Sequence, residues 1–239
     1  MMFTDIHHHL IWGVDDGAES FEATQRMVDE SVADGVTHIV CTPHMTPGVY
    51  PFDTETFDRH LQQTKEYIAS RYYDLRLDAG GEVLYTDSMV RFLREGRLPA
   101  YGTGRYILTE FSPDDSWQRI TTALSGICGA GYRPVIAHVE RCLNLKKTDQ
   151  LLFLKREYGA LLQVNARTVL RKPPFFQRKY YTQLIEDGFT DFISTDTHDY
   201  PGRETCMTAA YEALTERIGK EQADRLCRTN AETLLFGKD

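Results

Sequence analysis

A chain of 239 residues with 41% apolar side chains is long enough for one large α/β domain with a proper core. Its 35 acids against 27 bases leave a net charge of −8. That argues against a broad nucleic-acid or anionic-membrane surface, but not against an anionic substrate, because bound metal ions invert a local field.

The first element is a strand, Met2–Leu10, carrying Asp5-Ile6-His7-His8-His9. Residues two apart share a strand face, so Asp5, His7 and His9 are expected on one side and His8 on the other. A tag remnant is the bland explanation of three adjacent histidines. The apolar neighbours Phe3, Ile6, Leu10, Ile11 and Trp12 speak against it. A helix over Ser20–Ala33 and a strand over Thr37–Thr42 follow. The Pro/Gly-rich loop His44–Pro51 then suits a lid or a substrate contact. Further along, helices Thr54–Tyr72, Ser88–Glu95, Trp117–Ala130, Thr148–Tyr158 and Gln177–Asp187 alternate with strands Arg76–Leu84, Arg105–Phe111, Pro134–Val139, Ala160–Ala166 and Asp191–Ser194. A last helical region covers Thr205–Ile218 and Gln222–Leu235. Gly35, Gly96, Gly131, Gly159 and Gly188 sit where helices end.

Seven β/α alternations without a linker predict a parallel sheet. With no glycine-rich dinucleotide loop after the first strand, a closed barrel is favoured over an open Rossmann sheet. Residues 1–239 are read as a single domain. The five cysteines form no C-x-x-C pair. The N-terminus lacks a charged leader with an apolar run, and no apolar stretch reaches membrane-spanning length. Free thiols in a reducing cytoplasm are the expectation.

Metal-type residues gather at the expected strand ends. His7, His9 and then Asp16 follow the first strand; His44 follows the second; Glu82 ends the third and Glu110 the fourth; His138 ends the fifth; Asp196 and His198 follow the last. In parallel barrels these ends form the active face. Any single histidine or carboxylate at such a place is ordinarily a packed or solvated residue. Recurrence at six strand ends of seven, with five of the eight histidines, outweighs that reading. Mixed imidazoles and carboxylates without a thiolate cluster suit Mn²⁺, Fe or Zn²⁺. Five histidines and four carboxylates are too many for one ion, but two or three ions sharing bridging carboxylates use them all. Such a site clamps a phosphoryl group and activates water. Arg141 and Arg203 lie close in sequence to His138 and His198 and are candidates to grip the phosphate.

The motifs Asp5-Ile6-His7-x-His9, Val14-Asp15-Asp16-Gly17, Thr42-Pro43-His44, Gly80-x-Glu82, Glu110-Phe111, Ala137-His138-x-Glu140-Arg141 and Ser194-Thr195-Asp196-x-His198 occur in this order. The pattern resembles the polymerase-and-histidinol-phosphatase (PHP) superfamily. Within it the chain is similar to the bacterial capsule-biosynthesis protein-tyrosine phosphatases of the CpsB/YwqE type, over nearly its whole length. The resemblance implies a distorted, TIM-barrel-like, seven-stranded (β/α)7 barrel and three divalent ions, Mn²⁺ first, with Fe or Zn²⁺ as alternatives. His7, His9, Glu82 and Asp196 would hold the first ion. Glu82, Glu110 and His138 would hold the second, and Asp16, His44 and His198 the third. The implied reaction is hydrolysis of phosphotyrosine by metal-activated hydroxide. Arg141 and Arg203 would bind the phosphate, and His44 or His198 would assist proton transfer. The implied partner is a cognate bacterial tyrosine kinase that controls capsular or exopolysaccharide synthesis. A homo-oligomer is left open. Two departures from the family stand out. Met45 replaces a second histidine after His44, and Ser194-Thr195-Asp196 lengthens the Ser-Asp motif by one residue. Cys142, beside Arg141, is read as packing rather than as a redox group.

Two rivals remain at this stage. One is a small-molecule phosphatase such as histidinol-phosphatase, since substrate choice lives in loops such as Met45–Pro51 and Asp114–Trp117. The other is a non-catalytic, metal-stabilised binder of a phosphorylated kinase tail, disfavoured because every ligand position is filled. A cysteine-nucleophile phosphatase needs C-x₅-R. No cysteine here has that spacing, the nearest being Cys128 to Arg133.

Overall fold

The computed structural model describes residues 2–172, 175 and 178–237. Gln177, where the sixth helix was expected to begin, lies outside the described residues, as do Met1, Lys238 and Asp239 at the ends of the expected domain. The strands are β1 (Phe3–His8), β2 (Val36–Cys41), β3 (His44–Met45), β4 (Arg76–Ala79), β5 (Glu82–Leu84), β6 (Tyr106–Glu110), β7 (Arg133–Ile136), β8 (Leu161–Asn165) and β9 (Phe192–Ser194). They form a three-stranded sheet, β1-β2-β4, and a six-stranded sheet, β3-β5-β6-β7-β8-β9, the latter a curled half-barrel. All the strand pairs run parallel.

The count of strands departs from the seven expected. The expected third strand is broken in two at Gly80-Gly81; the second, expected to end at Thr42, breaks at Thr42-Pro43 and resumes as β3 (His44–Met45), where a loop was expected. Proline offers no N–H to a ladder, and glycine weakens a strand interior. The hydrogen bonding nonetheless runs on across the breaks, from Gly80 N to Cys41 O (2.8 Å) and from Glu82 N to Pro43 O (3.0 Å). On the far side β1 lies along β9, with Asp196 N donating to His7 O (2.9 Å) and His9 N to Thr197 O (3.1 Å).

The helices are α1 (Phe21–Ala33), α2 (Thr54–Arg71), α3 (Met89–Arg94), α4 (Trp117–Gly129), α5 (Thr148–Tyr158), α6 (Ala166–Leu170), α7 (Arg178–Ile185), α8 (Met207–Ile218) and α9 (Lys220–Asp224). Side-chain caps set three starts: Ser20, Asp53 and Ser116 accept from backbone N–H groups three residues on. The end of α5 is set by Gly159 in the left-handed region (φ 58°), a conformation glycine adopts without a Cβ penalty. The expected helix Gln222–Leu235 is divided among α9 and two wide π-helical stretches, Arg225–Thr229 and Ala231–Leu235. Helix α6 was not anticipated. No described helix is long and apolar enough to cross a membrane.

The apolar interior has two parts. The larger lies between strands and helices and includes Ile39, Ile107, Ile136, Leu162, Val164 and Ile193. The smaller gathers Ile6, Val40, Leu108, Val135 and Phe192 from the strands, with Ala231 and Leu235 of the last segment packed against them. The polar residues singled out above sit past this plug, at the C-terminal ends of the strands.

Between β1 and β2 the register slips. Asp5 faces Ile39 and His8 faces Cys41, so three steps along β1 match two along β2. This extra residue is a bulge. It overturns the expectation that Asp5 shares a face with His7 and His9. Asp5 is fully buried and accepts from Thr195 N (3.1 Å), Thr195 Oγ1 and His7 N (3.2 Å). It therefore ties β1 to the end of β9. Burial pushes its carboxyl up to about 6, against those hydrogen bonds.

Candidate metal centre

Glu82, fully buried at the start of β5, is the hub. Its Oε2 lies 3.0 Å from His7 Nε2, 3.3 Å from His9 Nε2 and 3.1 Å from His44 Nδ1. Its Oε1 lies 2.7 Å from His138 Nε2. The opposite nitrogens of two rings are already committed. His9 Nδ1 donates to Asp15 Oδ2 (2.7 Å), and His7 Nδ1 donates to Gln163 Oε1 (3.3 Å). Neutral imidazole carries one ring proton, so both Nε2 atoms then present lone pairs. These two lone pairs are 3.1 Å apart and face a carboxylate oxygen that receives no hydrogen bond among the described residues. Acceptors packed this way need a cation between them, and the donor set fits a divalent ion.

Three groups of ligand atoms converge closely enough to hold ions. The first is His7, His9, Glu82 and Asp196. The second is His44, Glu82 and Glu110, and the third is His9, Asp16, His44 and His198. The first matches the expected set residue for residue. In the second, His44 stands where His138 was expected. His138 remains adjacent, with Nε2 3.5 Å from Glu110 Oε1 and its Nδ1 buried without a partner. In the third, His9 joins the expected trio. Asp16 is the most open of these ligands, its side chain 65% exposed, and His44 is 35% exposed. The mouth of the site is on their side.

The electrostatics draw positive charge inward. A proton can stand in for that cation: burial alone would lower the His9 imidazolium, yet the Asp15 hydrogen bond and the charges of Asp15 and Glu82 lift it to about 10. Burial works against the Glu82 carboxylate too, but the His7 charge and the His138 hydrogen bond hold it well below the usual range. Glu110 is pushed up by burial and by the Glu82 charge. His198 goes the other way: burial, His9 and Arg203 lower it to about 4, leaving a neutral ring suited to ligation.

Both candidate arginines reach Asp196. Arg141 Nη2 donates to its Oδ2 (2.7 Å), and Arg203 Nη2 lies 2.5 Å from its Oδ1. Arg203 also donates to Tyr200 OH through Nη1 (3.1 Å). The Arg141 side chain keeps 41% of its surface exposed.

Three residues of the site were not assigned roles from the sequence. Asp15 holds His9 and accepts from His44 N (3.0 Å). Gln163 accepts from His138 N (2.6 Å), and Asn165 Nδ2 donates to Asp196 Oδ2 (2.8 Å). The last two lie on β8, the strand without metal-type residues. Two amides alternating along a strand buried at both positions were the available signal, because buried amides need partners. His138 and Asp196 are also the non-glycine residues with positive φ, 28° and 54°. Such backbone costs on the order of 1–3 kcal/mol each and persists where its surroundings hold it.

The remaining histidines are structural. His8 Nε2 lies 3.1 Å from Ser31 Oγ of α1, away from the centre, and burial among neighbouring imidazoles lowers it to about 3. His38 bridges Asp78 and Glu232. His60 stacks on Trp12 at 3.8 Å. Burial raises all five thiols, Cys142 to about 12, so none is a ready thiolate.

Comparison with known proteins agrees with this geometry. Residues 3–236 match the family described as capsular polysaccharide synthesis, CpsB/CapC. The chain is 30% identical to the tyrosine-protein phosphatase CpsB of Streptococcus pneumoniae over 238 residues, covering 97% of this chain and 98% of that one. It is 26% identical to the tyrosine-protein phosphatase YwqE of Bacillus subtilis (strain 168), covering 97% and 91%. A solved structure from work on YwqE and CpsB, described as unique metal-dependent tyrosine phosphatases, superposes with TM-score 0.83 at 25% identity, over 100% of this chain and 95% of that one. An organophosphorus hydrolase from Deinococcus radiodurans shares the fold at TM-score 0.58 and 14% identity, over 98% of this chain and 92% of that one.

Proposed function

This chain belongs to the CpsB/CapC family of capsular polysaccharide synthesis, and on that premise we propose that it is a metal-dependent protein-tyrosine phosphatase. The observation that carries the reading is the pair of bare Nε2 atoms of His7 and His9 facing the unbonded Oε2 of Glu82. Three divalent ions, Mn²⁺ first among candidates, would be held by the three groups at and beside Glu82, with His138 completing the second. Ions there supply Lewis-acid charge against the phosphoryl oxygens and lower the pKa of a water.

The chain's own residues do the rest. Arg141 and Arg203 close over the phosphate and offset charge on its equatorial oxygens. Asp196 orients both guanidinium groups. Phenolate is a weak base and leaves without a strong acid. His44 or His198 assists with a proton only where its ring is not fully committed to an ion. Counting each broken strand once gives seven, and we read the fold as a distorted (β/α)7 barrel forming one domain over residues 1–239. The protein acts in the cytoplasm on a cognate tyrosine kinase.

The test is phosphate release from a phosphotyrosine peptide and from histidinol phosphate, after chelation and again after Mn²⁺ is restored. Restored turnover of the peptide, well above that of histidinol phosphate, is expected. Preference for histidinol phosphate would make this a small-molecule phosphatase. No release from either would overturn the enzymatic reading.

A further inference from the structure

Beyond the candidate metal centre, past the end of the strand β8, basic side chains gather around a cleft. Helix α6 leaves β8 directly after Asn165, whose side chain bonds Asp196. The far end of α6, the start of α7 and the last turn of α8 enclose a cleft of about 370 Å³. Arg171, Lys172, Arg178 and Arg217 line it, with Glu186 as the carboxylate on its wall. Among the described residues none of these four cations forms an ion pair, whereas Arg167, on the same helix, pairs with Glu204 at 3.6 Å. Four unpaired cations around one concavity run against a net charge of −8. The cleft also shares a wall with the site: Thr168 lines it, and its hydroxyl donates to Glu140 Oε1 (2.9 Å), next to Arg141.

We infer that this cleft is an anion-binding subsite for acidic side chains of the phosphotyrosine substrate's own chain. The inference rests on the phosphatase reading above and adds a recognition rule to it. Charge complementarity selects the ligand class, since guanidinium groups pair with carboxylates in a forked geometry. Reach sets the position. Six residues from Asn165 to Arg171 at about 1.5 Å each span about 9 Å. An extended peptide covers that in about three residues. An acidic residue about three positions from the phosphotyrosine therefore meets the cleft. The four cations are exposed, so they stay hydrated and adaptable, as suits a passing peptide. A flat anionic membrane would instead meet the repulsion of the acidic remainder.

The test uses the full-length, metal-loaded protein and its Arg171→Gln/Arg178→Gln double variant. Three substrates are compared at low and high salt: a phosphotyrosine peptide with Asp/Glu flanks, the same peptide with Asn/Gln flanks, and p-nitrophenyl phosphate. The wild type should prefer the acidic peptide about fivefold in kcat/KM at low salt, the effect of a partly exposed ion pair. High salt should erase the preference. The double variant should lose it while turning over p-nitrophenyl phosphate at the wild-type rate. Equal rates for the two peptides in the wild type overturn the inference, as does a preference that survives in the variant. A parallel loss on p-nitrophenyl phosphate would also overturn it, because the cleft would then serve the reaction itself. If no substrate is turned over, the phosphatase reading fails. Fluorescence anisotropy of a labelled, unphosphorylated acidic peptide still reads the cleft: binding that the double variant loses supports the subsite. No binding at low salt, or binding of phosphatidylglycerol vesicles in place of the peptide, refutes it.

Discussion

The Asp15 carboxylate accepts a 2.7 Å hydrogen bond from His9 Nδ1 and thereby fixes which face of the ring is left for ligation. Asp15 is itself held, by Gly17 N (2.9 Å) and His44 N (3.0 Å). Gly17 has no room for a side chain, since a Cβ there would sit 2.0 Å from His9 O. The Asp-Asp-Gly turn thus divides its labour. Asp16 joins His9, His44 and His198, Asp15 braces His9, and Gly17 lets the turn close on the strand. Asp15→Asn keeps the size but removes the charge that orients the ring. Metal affinity should fall about 10- to 100-fold, the usual effect of losing a carboxylate behind a ligating histidine. Competition against a chelator, read by metal analysis, measures it. Unchanged affinity would make Asp15 a turn residue only.

His7 and His8 are adjacent, and strand alternation sends them to opposite environments. His7 faces Glu82, and His8 faces Ser31 on α1. His7→Ala should strip metal and abolish turnover. His8→Ala should retain both but leave a cavity, costing on the order of 2 kcal/mol in urea unfolding. Metal content after dialysis separates the two. Loss of metal in His8→Ala would show that the centre depends on His8 as well as on the rings that face Glu82.

Arg141 donates to Asp196 from Nη2, and its side chain remains partly exposed. Removing one donor aimed at developing negative charge typically costs 10²- to 10³-fold in kcat. Arg141→Ala should therefore cut kcat by about 10²-fold with metal content intact. Arg141→Lys should recover little, because a point charge does not replace a fork. If Arg141→Ala loses metal, its role is to hold Asp196 rather than the substrate.

Ligand types were legible in the sequence because imidazoles and carboxylates at strand ends are rare in combination. His7, His9, Glu82 and Asp196 meet as expected, although up to 189 residues separate them. The supports were not legible. Asp15 and Asp16 are chemically identical neighbours, and only the turn geometry decides which braces and which faces the ions. Gln163 and Asn165 are not ligand types, so β8 read as featureless. Strict alternation failed at Asp5 because a bulge is a property of pairing with β2, invisible in β1 alone. The break at Gly80-Gly81 is written in residue types that weaken strands but lay inside one expected strand, and the two-residue β3 was too short to read within the Pro/Gly-rich loop expected from His44.

Away from the centre, Asp78 joins β4 to β2 and gives acid a point of attack. Its Oδ2 accepts from His38 Nε2 (3.0 Å) and lies 2.5 Å from Arg76 Nη2. Burial would raise the carboxyl, but the His38 hydrogen bond and the Arg76 charge outweigh it and hold it below its ordinary 3.8. A carboxyl depressed in the folded state binds its proton more readily when unfolded. Its contribution is thus fully present above 3.8 and is lost as pH falls through the depressed value. Asp78→Asn should destabilise the protein at pH 7 by under about 1 kcal/mol, because the side chain is partly exposed and solvent screens the pair. The deficit should shrink as pH drops below 3.8, until the two proteins unfold in urea at the same midpoint. A deficit that stays constant with pH would mean that Asp78 acts as a neutral hydrogen-bond acceptor and not through its charge.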